Sequence, residues 1–430
     1  MAVSHPRRPC HTGRVRIVVT TAGSRGDVAP YTGLARRLDA AGHHTVIATH
    51  ESFREFVEAR RLEFAPLAGD PRELMASAAG KRWQAKGTGP VATARLVGLM
   101  RPYARDMADR VTAAAQGADL LLCSSLTSAG YHTAQGLDIP SMGVYLQPLE
   151  GTRDFSTVLA GGTRNLGPWG NRMSATWSES VLAAPFMGEI NRARVRLGLP
   201  RTSHRAIRRE LRTQRWPVLH GFSRHVVPRP ADWRPGLDVV GYWWPEPDPS
   251  WVPPAELVAF LAAGDPPVYV GFGSMAAGTG DADRLAEVAV AALRRVGARG
   301  ILQAGWSGLA AADAQDVLTI GETPHDWLFP QVAAVVHHAG AGTAAATLRH
   351  ARPAVPVPLL ADQPFWAARL RRLEVAADPL PFHRLTVDTL TDRLRDVLGT
   401  PAYRRRAQAL AGLLAEEDGA GAVVAAVERG

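Results

Sequence analysis

Residues 14–30 read RVRIVVTTAGSRGDVAP, and the way this stretch is read decides the fold. The β-branched run from Val15 to Thr21 is expected to be a buried parallel strand. The glycines after it suggest the tight turn that opens a helix, a usual place to hold a phosphate. Yet the turn contains Asp27, and a carboxylate close to a phosphate costs electrostatic energy unless something nearby offsets it. The aspartate needs a reason to be there.

Outward from this turn, strand and helix signals alternate. PYTGLARRLDAAG (30–42) places Leu34 and Leu38 at helical spacing, with Gly42 as the stop. HTVIAT (44–49), ADLLLCSS (118–125) and SMGVYL (141–146) read as further strands. ESFREFVEARR (51–61) and TSAGYHTAQGLD (127–138) read as the helices between them. Such alternation implies a parallel, doubly wound sheet. Residues 228–254 are dense in proline and tryptophan, which suits a stiff linker. The alternation then restarts with PPVYVGFGS (266–274) and runs through VAAVVHH (332–338), PAVPVPLL (353–360) and PFWAARLRRLE (364–374).

The expected organisation is therefore a flexible basic leader (1–13), an N-terminal domain (14–227), the linker (228–254), a second doubly wound domain (255–400) and a helical tail (401–430). A chain of 430 residues is too long for one ordinary core. Hydrophobic residues at 46% and charged residues at 21% describe a globular chain. Cys10 and Cys123 fit neither a disulfide framework nor a zinc site, so a reduced cytoplasm is the expected setting. The leader is followed by a strand rather than an apolar targeting segment, and no run approaches a membrane span. A net charge of +9 suits anionic small molecules and at most transient membrane contact. Without an aromatic-interleaved basic motif, nucleic acid is not expected.

Two such domains hold ligand between the facing carboxyl ends of their strands, so loops after strands should carry the chemistry. In VVHHAGAGTAAATL (335–348) a small-residue turn joins an apolar strand to a helix near Thr343. The helix start offers amides to an anion, and His338 and Thr343 add side-chain donors. A tight turn with Thr343 as a simple N-cap explains the spacing equally well. In VPLLADQPFWAAR (357–369), Asp362 and Gln363 together accept and donate, which suits sugar hydroxyls; a helix cap beside a surface glutamine is the plainer account. VYVGFGSM (268–275) carries half a dinucleotide fingerprint, Gly271 and Gly273, and puts Ser274 at a strand end. GETPHDWLFP (321–330) places Pro324 and His325 where backbone groups could meet a nucleobase. Asp281 and Asp283 have metal-pair spacing but open an amphipathic helix, so capping explains them.

HHAGAGT (337–343) with PAVPVPLLADQPFWAARL (353–370) resembles the donor-binding signature of glycosyltransferase family 1. GSRGDVAPYTGLARRL (23–38), VVGYWWP (239–245) and ILQAGWSGL (301–309) resemble the branch holding sterol glucosyltransferases and bacterial antibiotic glycosyltransferases. That resemblance implies a GT-B fold, two facing Rossmann-like domains with an interdomain cleft. It implies an inverting, metal-independent transferase with no cofactor. The donor would be a UDP- or dTDP-sugar, and the acceptor a lipophilic polyketide, macrolide, polyether or sterol alcohol. Carried over by motif, Asp27 is the general base. His338, Ala339, Gly340, Gly342, Thr343 and Ser274 hold the diphosphate, with Ser24 and Arg25 able to touch it. Asp362 and Gln363 hold the sugar, and Trp306, Pro324 and His325 lie near the nucleoside. Two positions depart from the pattern: Ala339 stands where the signature has glycine, and Glu322 where many plant relatives place a stacking tryptophan. The alternative is a catalytically silent helper of an antibiotic pathway, which should have lost Asp27 or the donor loop. The acceptor wall is expected in residues 81–106 and 146–170.

Overall fold

A computed structural model describes residues 13–70, 103–158, 164–273, 282–304 and 315–429, with isolated positions between 73 and 100. The apolar runs form two parallel sheets. The first has seven strands: β1 (Arg16–Thr20), β2 (His44–His50), β3 (Glu63–Leu67), β4 (Leu120–Cys123), β5 (Ser141–Tyr145), β6 (Val218–His220) and β7 (Leu237–Val239), in the order β3-β2-β1-β4-β5-β6-β7. The second has β8 (Val268–Gly271), β9 (Gly300–Gln303), β10 (Val317–Ile320), β11 (Ala334–His337) and β12 (Ala354–Pro356), in the order β10-β9-β8-β11-β12. This is the doubly wound GT-B arrangement.

In both sheets the order reverses beside the first strand, between β1 and β4 and between β8 and β11. Adjacent connections leave such a switch point in opposite directions, opening a crevice at the strands' carboxyl ends. The helices that matter begin there or line it: α1 (Arg25–Ala40), α2 (Gly130–Leu137), α3 (Gly167–Ala183), α4 (Met187–Arg196), α5 (His204–Thr213), α6 (Ala282–Arg295), α7 (Ala341–Arg349), α8 (Gln363–Arg372), α9 (Pro401–Ala415) and α10 (Gly419–Arg429). Asp283 sits in the first turn of α6, where a carboxylate meets the helix dipole, while Asp281 lies outside the described residues. No helix among the described residues is long and apolar enough to cross a membrane.

Two boundaries differ from the sequence reading. The stretch taken as a linker contributes β7 and then packs along α1. Trp243 is buried against Tyr31 at 5.6 Å, and the Glu246 N–H donates to Thr32 Oγ1 at 3.0 Å. Gly33 leaves no room for a Cβ beneath the Trp244 carbonyl. Proline forbids a central strand but not an edge strand, so β7 forms at the sheet margin. The tail also divides. Ala407, Leu410 and Leu414 of α9 join a cluster with Trp366 and Leu370 of the second domain, whereas α10 crosses back. Val423 and Val427 fill the first-domain core with Ile17, Val19, Leu34 and Leu38, and Arg37 pairs with Asp418 at 2.8 Å.

Candidate active site

The turn after β1 is built around Asp27. Gly23 has φ +117°, and a Cβ there would lie 2.6 Å from Asp27 Oδ2, so glycine is required twice over. The Ser24 N–H and hydroxyl each donate to Asp27 Oδ2 at 2.9 Å, and the Thr21 hydroxyl donates to the Asp27 carbonyl at 2.6 Å. His50 buttresses the loop: burial keeps its ring neutral, Nδ1–H donates to the Ala68 carbonyl and Nε2 accepts from the Gly23 N–H at 3.0 Å. Burial raises the Asp27 carboxyl above its usual range, partly offset by hydrogen bonds from Ser24 and Gln147. A carboxylate with a raised pKa is a stronger base than one in its ordinary range.

The turn after β11 faces it. α7 carries no side-chain cap, and its first internal bond runs from the Ala344 N–H to the Gly340 carbonyl at 2.9 Å. The amides of Ala341, Gly342 and Thr343 precede that bond and are left for an anion. His338 is wedged between two glycines: a Cβ on Gly273 would lie 2.6 Å, and one on Gly340 2.5 Å, from its ring. Burial lowers its pKa to about 4 against a backbone hydrogen bond at Gly271, so at neutral pH the ring is uncharged. The N-termini of α1 and α7 meet across the cleft, with Gly342 against the Gly26 backbone.

Asp362 stands at the N-cap position of α8 without a side-chain capping bond and accepts from Trp366 Nε1 at 2.8 Å. Burial, with the charge of Asp27 adding to it, raises its pKa to about 6. Asp27 and Asp362 therefore sense each other from opposite domains.

Residues 17–137 match the glycosyltransferase family 28 N-terminal domain, and residues 302–428 match the erythromycin biosynthesis protein CIII-like C-terminal domain. The chain is 36% identical over 413 residues to O-mycaminosyltylonolide 6-deoxyallosyltransferase of Streptomyces fradiae, covering 94% of this chain and 95% of that one. It is 35% identical over 427 residues to sterol 3-beta-glucosyltransferase UGT80A2 of Arabidopsis thaliana, covering 96% of this chain and 65% of that longer enzyme. The chain belongs to this glycosyltransferase family. Among solved structures it is similar in fold to the glycosyltransferase VinC in complex with dTDP (TM-score 0.67, 19% identity, 96% of this chain and 100% of that one).

Among the described residues one cavity of about 1200 Å³ runs between the domains. It is lined by Ser24, Arg25, Asp27, Pro324, His325, His338, Gly340, Gly342, Thr343, Asp362 and Gln363. Ser274 and Trp306 lie outside the described residues. Ala339 departs from the sequence expectation. It is fully buried, off the cavity, and its N–H is spent on His337 Nδ1 at 3.1 Å. Its φ of +62° shows why the signature has glycine there; the alanine holds a left-handed turn at some cost in strain. Ser24 likewise gives its hydroxyl hydrogen to Asp27 rather than to a ligand. The Gln363 Oε1 accepts from the Leu359 and Leu360 N–H groups at 2.8 and 3.1 Å, so only its NH₂ is left to offer. Arg25 crosses the cleft to pair with Glu322 and lies over the Phe56 ring at 4.9 Å. His325 stacks on Phe329 at 4.4 Å, with its pKa lowered to about 4 by burial.

Sequence reasoning missed His50 and did not single out Gln147. Gln147 follows β5 and His50 ends β2, so position at a strand end was the signal available for both. The first-domain half of the cavity is walled by Tyr103, Met107, Val111, Leu146, Leu182 and Ile190. Most of 81–106 lies outside the described residues. The segment 146–170 divides: Leu146, Gln147 and Leu149 line the cavity, while Leu166 and Trp169 face solvent.

Proposed function

We infer that this glycosyltransferase moves a hexose from a UDP- or dTDP-sugar to a hydroxyl of a lipophilic acceptor, a macrolide-like polyketide or a sterol, with inversion. The observation that carries the reading is the half-buried Asp27 carboxylate, set between an apolar first-domain wall and the uncapped start of α7. The acceptor oxygen attacks the anomeric carbon as the bond to the diphosphate breaks, and its proton passes to Asp27 late in that step. The departing diphosphate gathers charge at the amides of Ala341, Gly342 and Thr343 and at His338, donors already in place. Asp362 and the Gln363 NH₂ suit sugar hydroxyls. In this reading the chain's own donors, rather than a cation, carry the diphosphate charge. The names of the relatives support both acceptor classes, and the dTDP bound to VinC supports a nucleoside diphosphate donor.

The test is transfer followed by mass spectrometry, with UDP-glucose and dTDP-glucose against sterol and macrolide alcohols, EDTA present throughout. A gain of one hexose that is lost in Asp27→Asn is the expected result. Nucleotide-sugar binding without transfer would point to a different donor sugar or an acceptor outside the panel, and no nucleotide-sugar binding at all would favour the silent-helper reading.

A further inference from the structure

One face of α3 remains unexplained by the site. Its inner positions Ala175, Ser178 and Leu182 line the cavity. Its outer positions Trp169, Met173, Trp177 and Val181 are 78, 44, 59 and 41% exposed. A four-residue spacing places them in one stripe along the helix, and Leu166 extends it at 54% exposed. Two exposed tryptophans on one helix face are uncommon on a surface that meets only water.

The charge around this stripe is lopsided. Residues 153–215 hold twelve arginines, no lysine and four carboxylates, a net +8 of the chain's +9. Helix α5 packs beside α3, where His204 and Arg208 pair with Glu179 at 3.5 and 3.3 Å. Arg164, ahead of α3, and Arg201, Arg205 and Arg209, on and before α5, are exposed and make no ion pair among the described residues.

We propose that α3 and α5 form a docking surface for an anionic lipid bilayer. Tryptophan rings sit at the headgroup level, with an apolar body toward the acyl chains and an N–H toward water. Unpaired arginines of the same helix pair and of the segment ahead of it meet lipid phosphates, and this attraction fades with added salt. A wholly apolar partner would not account for the exposed, unpaired arginines, and a polar one would not account for the tryptophans. The same helix walls the cavity on its inner side, so docking sets the cavity beside the phase in which a lipophilic acceptor dissolves. That last consequence rests on the proposed acceptor class; the docking itself does not.

The test uses the full chain, without donor or acceptor, in co-sedimentation with vesicles of phosphatidylcholine alone or mixed with phosphatidylglycerol. Binding is expected on the mixed vesicles at low salt and release at high salt. Trp169→Ser with Trp177→Ser should weaken it at least tenfold. Arg205→Gln with Arg209→Gln should weaken it and flatten its salt dependence. These exposed changes should leave the circular dichroism melt unchanged. As a second readout, tryptophan quenching by brominated phosphatidylcholine should fall when Trp169 and Trp177 become phenylalanine. No sedimentation with either vesicle would overturn the proposal. So would a dimer by light scattering that reverts to monomer in the tryptophan double variant, because the stripe would then be covered by a second copy. Vesicle binding without sugar transfer would leave the docking standing and count against the transferase reading alone.

Discussion

Asp27 answers to two demands at once. As the third residue of α1 it closes a turn with Ser24, which stabilises the helix start, and as a half-buried carboxylate with a raised pKa it is held ready to take a proton. Asp27→Asn keeps the shape but loses the basicity, so kcat should fall on the order of 10²- to 10⁴-fold while donor affinity by calorimetry stays the same. The Ser24 hydroxyl favours the ionised form. Ser24→Ala should therefore raise the Asp27 pKa and move the acid limb of the kcat profile to higher pH. Asp362 shows the opposite side of burial. Its folded pKa of about 6 lies above the ordinary 3.8, so its contribution to stability is fully present below that ordinary value and is lost as pH rises through about 6. Asp362→Asn should raise the melting temperature at pH 8 relative to the native chain, by about 1–3 kcal/mol of stability, with little difference near pH 4. A gain over the native chain that is no larger at pH 8 than at pH 4 would contradict this account of the raised carboxyl.

At the scale of elements, the β11–α7 turn is a wedge of small residues around one ring. The strand, the turn and the helix start could all be read from VVHHAGAGTAAATL, because an apolar run, glycines and a threonine mark them locally. What the sequence left open was whether the turn or a ligand needed those glycines. The structure shows that Gly340 is needed by the His338 ring. Gly340→Ala should push the ring aside and weaken nucleoside diphosphate binding at least tenfold, measured by calorimetry, with a stability loss of about 1–3 kcal/mol from overpacking. Ser24, Ala339 and Gln363 were placed among the ligand contacts by pattern. Each also spends a donor or an acceptor on its own loop, which no one-dimensional pattern records.

For the whole molecule, the cleft is held by segments distant in sequence. The chain enters the second domain after β7 and returns through α10, so the first-domain core is completed by its last residues. Val423→Ala, which removes buried methylene-sized volume beside Ile17 and Leu34, should cost about 1–3 kcal/mol. Its melt should lower the first domain's transition before the second's. By itself the sequence determined the alternation of strands and helices, the two doubly wound units and the loops that carry chemistry, because period, glycine and strand-end position are local signals. Only the tertiary structure decided that the proline-rich stretch supplies an edge strand and that the tail crosses back. It alone decided, too, that Asp27 and Asp362 perturb each other and that Arg25 reaches Glu322. Those outcomes depend on burial and on charges brought close through space, and neither is a property of neighbours along the chain.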